Sequence, residues 1–186
     1  MPIVGNTVNT RDKRCERTRA AVEKSLFYYY MEHPFFEQPP VIYLCRMANI
    51  STPTFYRHFK GVYEVVETSH EAMRNELVGL VKSSNSLKTS LFKLFHFIRK
   101  HEIYYRMNIY QMSFRPFKQI VEVFEPKITA SLSKDIQQKS YYEIESYLIV
   151  ELSWWIVKDG FDDSLVEMHI KAILDFMERK AKEYRG

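Results

Sequence analysis

Residues 48–60 read ANISTPTFYRHFK, and this stretch decides the fold of the N-terminal part of the chain. Asn49 can take the left-handed backbone conformation that a tight turn between two helices requires. Ser51 or Thr52 can cap a new helix, because a hydroxyl side chain accepts a hydrogen bond from a free amide in the first helical turn. The stretch therefore predicts a tight turn followed by a helix that begins at residue 51 or 52.

The helix predicted after the turn is short and has one apolar face. Pro53 is well tolerated in the first turn of a helix. Phe55 and Phe59 lie four residues apart, so they form an apolar pair on one face that we expect to pack against the core. Lys60 and Gly61 then supply a signal that ends the helix.

Two further helices are predicted before the turn. Residues 17–31 place apolar side chains on one face, and the helix ends at His33-Pro34, since proline pushes the preceding residue out of the helical region. A shorter helix over about 40–47 follows a second proline pair. The sequence thus predicts a three-helix N-terminal domain over residues 1–61.

The remaining residues, 62–186, are predicted to form a second helical domain. The chain holds only five glycines and lacks the alternating pattern of strands, so the fold class is predicted to be all-α. The apolar periodicity predicts helices at residues 62–81, 87–100, 103–112, 116–133, 137–158 and 164–184.

The excess positive charge of the chain lies entirely in its N-terminal third. The net charge is +4, and the first 61 residues hold nine Lys and Arg against five Asp and Glu. The remaining residues hold 18 of each sign. A polyanion would therefore be attracted to the N-terminal domain.

The two cysteines and the N-terminal segment bear on the compartment. Cys15 and Cys45 lack the spacing of a disulfide framework or a zinc site, so no metal or other cofactor is predicted. The N-terminus is polar and basic where a signal peptide would be apolar, and no apolar run is long enough to cross a bilayer. We expect a cytoplasmic protein with no membrane partner.

Two short helices joined by a tight turn have the geometry that fits the major groove of DNA. Residues 48–60 resemble the turn and recognition helix of the TetR family of bacterial transcriptional regulators, whose pattern runs roughly A-G-V-S-x-x-T-(F/L)-Y-x-(H/Y)-F. The likeness extends over the first 60 or so residues, and the rest of the chain is similar only in length and helical character. The resemblance implies a helix-turn-helix DNA-binding domain followed by a ligand-binding and dimerisation domain.

The resemblance also implies a role for individual residues. The recognition helix would approach base edges or the sugar and phosphate groups in the major groove, and the cations at its end would lie toward phosphates. Arg17 or Arg19 would reach a flanking phosphate or the minor groove, with a solvated helix end as the alternative. The predicted DNA-binding residues are Arg19, Ser51, Thr52, Pro53, Thr54, Tyr56, Arg57, His58 and Lys60.

The chain departs from the family pattern at several positions. Cys45 stands for the family's alanine in the second helix, and Asn49 stands for the glycine of the turn. Val62 occupies a position where many members place a lysine, so one expected phosphate contact is absent.

The second domain is rich in aromatic side chains over the helices predicted between residues 87 and 133. Such a composition suits an apolar cavity with a few polar groups, and it suits an ordinary core equally well. The predicted effector pocket consists of Phe95, His96, Tyr104, Tyr105, Tyr110, Phe114 and Trp155.

The last two predicted helices, 137–158 and 164–184, are apolar on more than one face and need cover on both sides. We expect them to pair with their two-fold mates in a homodimer, as a palindromic operator of double-stranded DNA requires. The predicted dimer interface consists of Ile149, Leu152, Ile156, Ile170, Ile173 and Met177.

Three functions can be compared on this sequence. The resemblance implies a repressor that a small apolar or aromatic effector releases from its operator. The alternative is a DNA-binding adaptor or co-activator of the same fold that acts through protein contacts without a ligand. An enzyme is not expected, because the sequence has no HExxH, GxGxxG, P-loop or GxSxG motif.

Overall fold

The computed structural model describes residues 10–33, 38–131 and 138–183, and this part of the chain is helical and contains no strand. The all-α prediction is therefore confirmed. A single turn of 3-10 helix at Asp163–Leu165 precedes the last helix. The helices are α1 (Thr10–Glu32), α2 (Val41–Met47), α3 (Thr52–His58), α4 (Val62–Lys82), α5 (Leu87–Lys100), α6 (Glu102–Tyr110), α7 (Arg115–Ser131), α8 (Gln138–Val157) and α9 (Val166–Glu183).

The predicted boundaries from α2 onward agree closely with the structure, whereas the predicted start of α1 is wrong. The helix begins at Thr10 and not at Arg17. Its first turns are polar and basic, so they carry no apolar periodicity from which a helix could be predicted. Pro34 and the turn predicted at residues 133–135 lie outside the described residues.

The chain divides into two compact units, the first ending at His70 and the second beginning at Glu71. The boundary predicted from the sequence, between residues 61 and 62, lies at the start of α4. Val62 and Val65 of that helix are buried in the core of the first unit, so its first turns belong there.

The core of the first unit joins four helices. Its members share nearly complete burial, and the half-buried Ile50 and Val66 pack against them. They are Val22 and Leu26 of α1, Leu44 and Cys45 of α2, Phe55 and Phe59 in and after α3, and Val62 and Val65 of α4. This core fixes the direction of α3.

The second unit has an aromatic core, and the predicted effector pocket is wrong as a single cavity. The seven side chains do not share one environment: Phe95, Tyr104, Tyr105 and Trp155 are almost fully buried, whereas His96, Tyr110 and Phe114 are exposed. The rings of Phe95 and Trp155 meet edge to face, 4.8 Å apart. The buried members of the set therefore fill the core.

The predicted dimer interface is also wrong for five of its six residues. Leu152, Ile156, Ile170, Ile173 and Met177 are at most 4% exposed, because they face the interior of their own unit. A side chain that is already buried offers no area to a partner. Ile149 is half-buried, and its role stays a prediction.

A charged network lies where α8, the following turn and α9 meet. His169 of α9 is fully buried, and its ring stacks on Phe95 with centroids 6.0 Å apart. Its Nδ1 lies 2.8 Å from Oε1 of Glu151, and its Nε2 lies 2.8 Å from Oδ2 of Asp159. Ionised carboxylates only accept hydrogen bonds, so both contacts are made together when His169 carries two protons.

No helix in the described part of the chain has both the length and the apolar character needed to cross a membrane.

Replacement of His169 by alanine should lower the free energy of unfolding by about 3 kcal/mol, because two partly buried carboxylates then lose their shared partner. The measurement is urea denaturation at neutral pH. His96→Ala is the control, since His96 is exposed and its removal should change stability by less than about 0.5 kcal/mol. Equal stability of the two variants would contradict this assignment.

Candidate nucleic-acid interface

The turn between α2 and α3 is closed by two backbone hydrogen bonds. The amide of Ile50 donates to the carbonyl of Cys45 at 2.9 Å, and the amide of Asn49 donates to the carbonyl of Arg46 at 3.2 Å. Asn49 has a φ of 53°, in the left-handed region that asparagine tolerates better than most residues. This pattern is a Schellman motif, in which Ile50 turns back onto the end of α2.

Ser51 caps α3 as predicted. Its Oγ accepts a hydrogen bond from the amide of Thr54 at 3.3 Å and lies 2.9 Å from the Thr54 hydroxyl. Pro53 lies in the first turn, where its missing amide proton costs no hydrogen bond. The turn and the cap together determine where α3 begins.

The inner and outer faces of α3 differ sharply. Phe55 and Phe59 are at most 1% exposed, and their rings lie 5.6 Å apart in the core. On the opposite side Thr52 and Pro53 are exposed, and Tyr56 is 56% exposed. The structure thus brings the predicted reading residues together on the solvent side of the helix.

The other predicted residues lie around the same helix. Arg57 and Lys60 are exposed, whereas Thr54 and His58 are partly buried. The hydroxyl of Thr54 is already paired with Ser51. Ser51 itself is exposed, although its oxygen serves the cap.

Arg19 connects α1 with the end of α3. Its Nη2 donates to the carbonyl oxygen of His58 at 3.2 Å, and its guanidinium lies 5.2 Å from the centroid of the Phe59 ring. Arg19 therefore has a structural role that the sequence did not reveal. Its predicted contact with DNA stays a prediction.

A cavity of about 400 Å³ separates α1 from the outer edge of α3. Sequence analysis did not select its α1 residues, because the contact joins positions about 40 residues apart in the chain. The spacing of Arg14 and Thr18, one helical turn apart, was the available signal. The cavity is lined by Arg14, Cys15 and Thr18 from one side and by Thr54, Arg57 and His58 from the other.

His58 lies in a positive environment. Partial burial, and then the charges of Arg57 and Arg19, lower the pKa of His58 below its ordinary value of 6.5. The side chain is therefore mostly uncharged at neutral pH. The permanent charge at this edge comes from the arginines.

Val62 is 3% exposed and forms part of the core of the first unit. It therefore cannot replace the phosphate contact that a lysine at this position would make.

The second unit has a small cavity beside α6 and α8. It measures about 80 Å³ and is lined by Arg106, Ile109, Tyr110, Ile156 and Val157. Sites for drug-sized ligands usually measure about 300–1,000 Å³. Tyr110 is the one residue of the predicted effector pocket in this lining.

No group of three or more His, Cys, Asp or Glu side chains within residues 10–33, 38–131 and 138–183 is placed to hold a metal ion.

We expect His58 to titrate below pH 6.5 in an NMR pH titration, with the His58→Gln spectrum identifying its signal. Because the unfolded chain binds this proton more tightly, the stability contributed by uncharged His58 is complete above pH 6.5 and is lost as the pH falls through the folded pKa. Arg57→Gln should raise the pKa only in part, since burial is the larger cause. A His58 pKa at or above 6.5 in the wild type would contradict this account.

The comparisons with known proteins add no relative to this geometry. No protein-family model, curated protein or solved structure matches the chain. The functional argument therefore rests on the residues and geometry of α2, α3 and the turn between them.

Proposed function

We propose that the chain is a DNA-binding transcriptional regulator of the TetR type, and that α3 is its recognition helix. The observation that carries this proposal is the division of α3 into two faces. Phe55 packs in the core, while Thr52, Pro53, Tyr56 and Arg57 are exposed. A helix held from one side and free on the other can enter a major groove without disturbing its own domain.

The charge of the first unit supports a nucleic-acid partner. Arg57 and Lys60 are exposed at the end of α3, and Arg14 of α1 faces Arg57 across their shared cavity. Cations in such positions bind phosphates and release counterions from DNA, which contributes affinity without sequence preference.

The simpler interpretation is that α2 and α3 are only two packed helices of an all-α protein. The exposed apolar side chains of the first unit favour a partner instead. Tyr56 is 56% exposed, Met47 51%, Tyr63 72% and Ile42 74%. Apolar side chains that cluster on a surface usually mark an interaction site.

The proposal predicts duplex binding that prefers certain sequences and weakens with salt. Selection of bound duplexes from a random pool should yield a two-fold symmetric site, and fluorescence anisotropy at several salt concentrations should give its affinity. Arg57→Ala and Lys60→Ala should each lower affinity and reduce the slope of log K against log salt by about 1.

Lys118→Ala is the matched control, because it removes an exposed cation from α7 in the second unit. Its affinity and salt slope should equal those of the wild type. If the wild type shows no sequence-preferring, salt-sensitive binding, the proposed function is wrong.

We also propose a homodimer formed by the outer faces of α8 and α9. Along α8, Tyr147, Val150, Trp154 and Val157 are spaced three or four residues apart, which is the spacing of a helix-packing seam. Val150, Trp154 and Val157 are 56–64% exposed. This face lies opposite the buried residues that the sequence had assigned to the interface.

The seam continues onto α9 through a shallow groove of about 520 Å³. The rings of Tyr147 and Phe176 stack in parallel, 4.0 Å apart, and form part of its floor. Lys180 and Glu143 pair at its rim at 2.7 Å. An apolar centre with a polar rim is the arrangement found in protein interfaces.

Val150→Glu should convert the dimer into a monomer, because it places a charge in the middle of the apolar seam. The measurement is sedimentation velocity at micromolar concentration. Ile42→Glu, which introduces the same charge at an exposed apolar position of the first unit, should leave the dimer intact. A wild-type monomer, or a Val150→Glu dimer, would contradict the assignment of this surface.

One observation favours the ligand-independent alternative, an adaptor or co-activator that acts through protein contacts. Phe95, Tyr105 and Trp155 occupy the interior of the second unit, and the neighbouring cavity measures only about 80 Å³. A repressor with an effector and a ligand-independent regulator differ in one measurable property. A ligand that binds only the folded protein raises its melting temperature.

A further inference from the structure

The outer face of α3 offers few groups that can read bases by paired hydrogen bonds. Such readout uses Arg or Lys for guanine, Asn or Gln for adenine and Asp or Glu for cytosine. Between Thr52 and His58, Arg57 is the one residue of these types.

Arg57 is placed toward the phosphate side of the helix. It lines the cavity that α3 shares with α1, beside Arg14 and Thr18. Two guanidinium groups and a hydroxyl around one cavity suit a phosphodiester, whose oxygens accept several hydrogen bonds.

Two of the hydroxyl groups near the start of α3 are already paired. The Oγ of Ser51 lies 2.9 Å from the Thr54 hydroxyl and also accepts from the Thr54 amide. What remains exposed on the other edge of α3 is the side chain of Thr52, the ring of Pro53 and the ring of Tyr56. We call these three residues the reading edge. It consists mainly of carbon atoms.

Resting on the proposed function, we infer that the reading edge recognises the C5 methyl groups of thymine in each half-site. Thymine is the base that presents an apolar group in the major groove, so an apolar edge can distinguish it from cytosine. The Thr52 methyl and the Pro53 ring supply the contact, and the exposed Tyr56 ring covers it from one turn further along the helix.

The inference is tested by exchanging thymine for deoxyuridine, one position at a time, in the duplex selected for tightest binding. Deoxyuridine keeps every hydrogen-bonding group and lacks only the methyl. Loss of one buried methyl should weaken binding about fourfold. The expected result is this loss at one or more half-site positions, with no effect of deoxyuridine outside the half-sites.

Variants of the reading edge connect the effect to Thr52. Thr52→Val keeps a methyl group and should preserve the discrimination between thymine and uracil at the position that Thr52 contacts. Thr52→Ser removes the methyl and should reduce that discrimination toward 1. Arg57→Ala should weaken binding to both duplexes by the same factor, because a phosphate contact does not distinguish them.

The outcomes separate this inference from the proposed function. Sequence-preferring binding with equal affinity for thymine and uracil duplexes at every half-site position would overturn the inference and leave the regulator intact. Discrimination that Thr52→Ser leaves unchanged, and that Pro53→Ala also leaves unchanged, would overturn it as well. Absence of any sequence-preferring, salt-sensitive binding would overturn the proposed function itself.

Discussion

The burial of Phe55 and Phe59 is the constraint on which the first unit depends. Both rings are at most 1% exposed, and α1, α2 and α4 contribute side chains to the same core. Because α3 has only seven residues, it gains little stability from its own hydrogen bonds. Its position is therefore set by this packing, by the cap at Ser51 and by the Schellman turn before it.

The same constraint explains which parts of the first unit could be predicted from the sequence. A capping residue, a proline and an apolar pair are local signals, and they located α3 to within a residue. The polar first turns of α1 carry no such signal, so the helix start was missed. The bond from Arg19 to the carbonyl of His58 joins residues 39 positions apart, and no local pattern could reveal it.

In the second unit the sequence predicted the helices well but not the direction of their side chains. A helix that is apolar around most of its circumference, such as α8, gives no indication of which face its own unit covers. Leu152 and Ile156 turned out to face inward, whereas Val150 and Trp154 face solvent. Similarly, an aromatic composition cannot distinguish a filled core from a cavity, because both use the same residues.

The contact of Arg19 with the end of α3 also has a kinetic meaning. Its guanidinium is already engaged by the His58 carbonyl and the Phe59 ring before any partner arrives. A surface whose backbone is preorganised loses less conformational entropy on association, and it needs no slow rearrangement after the first encounter. The orientation of α3 is thus fixed during folding, so that recognition can proceed as the docking of a rigid element.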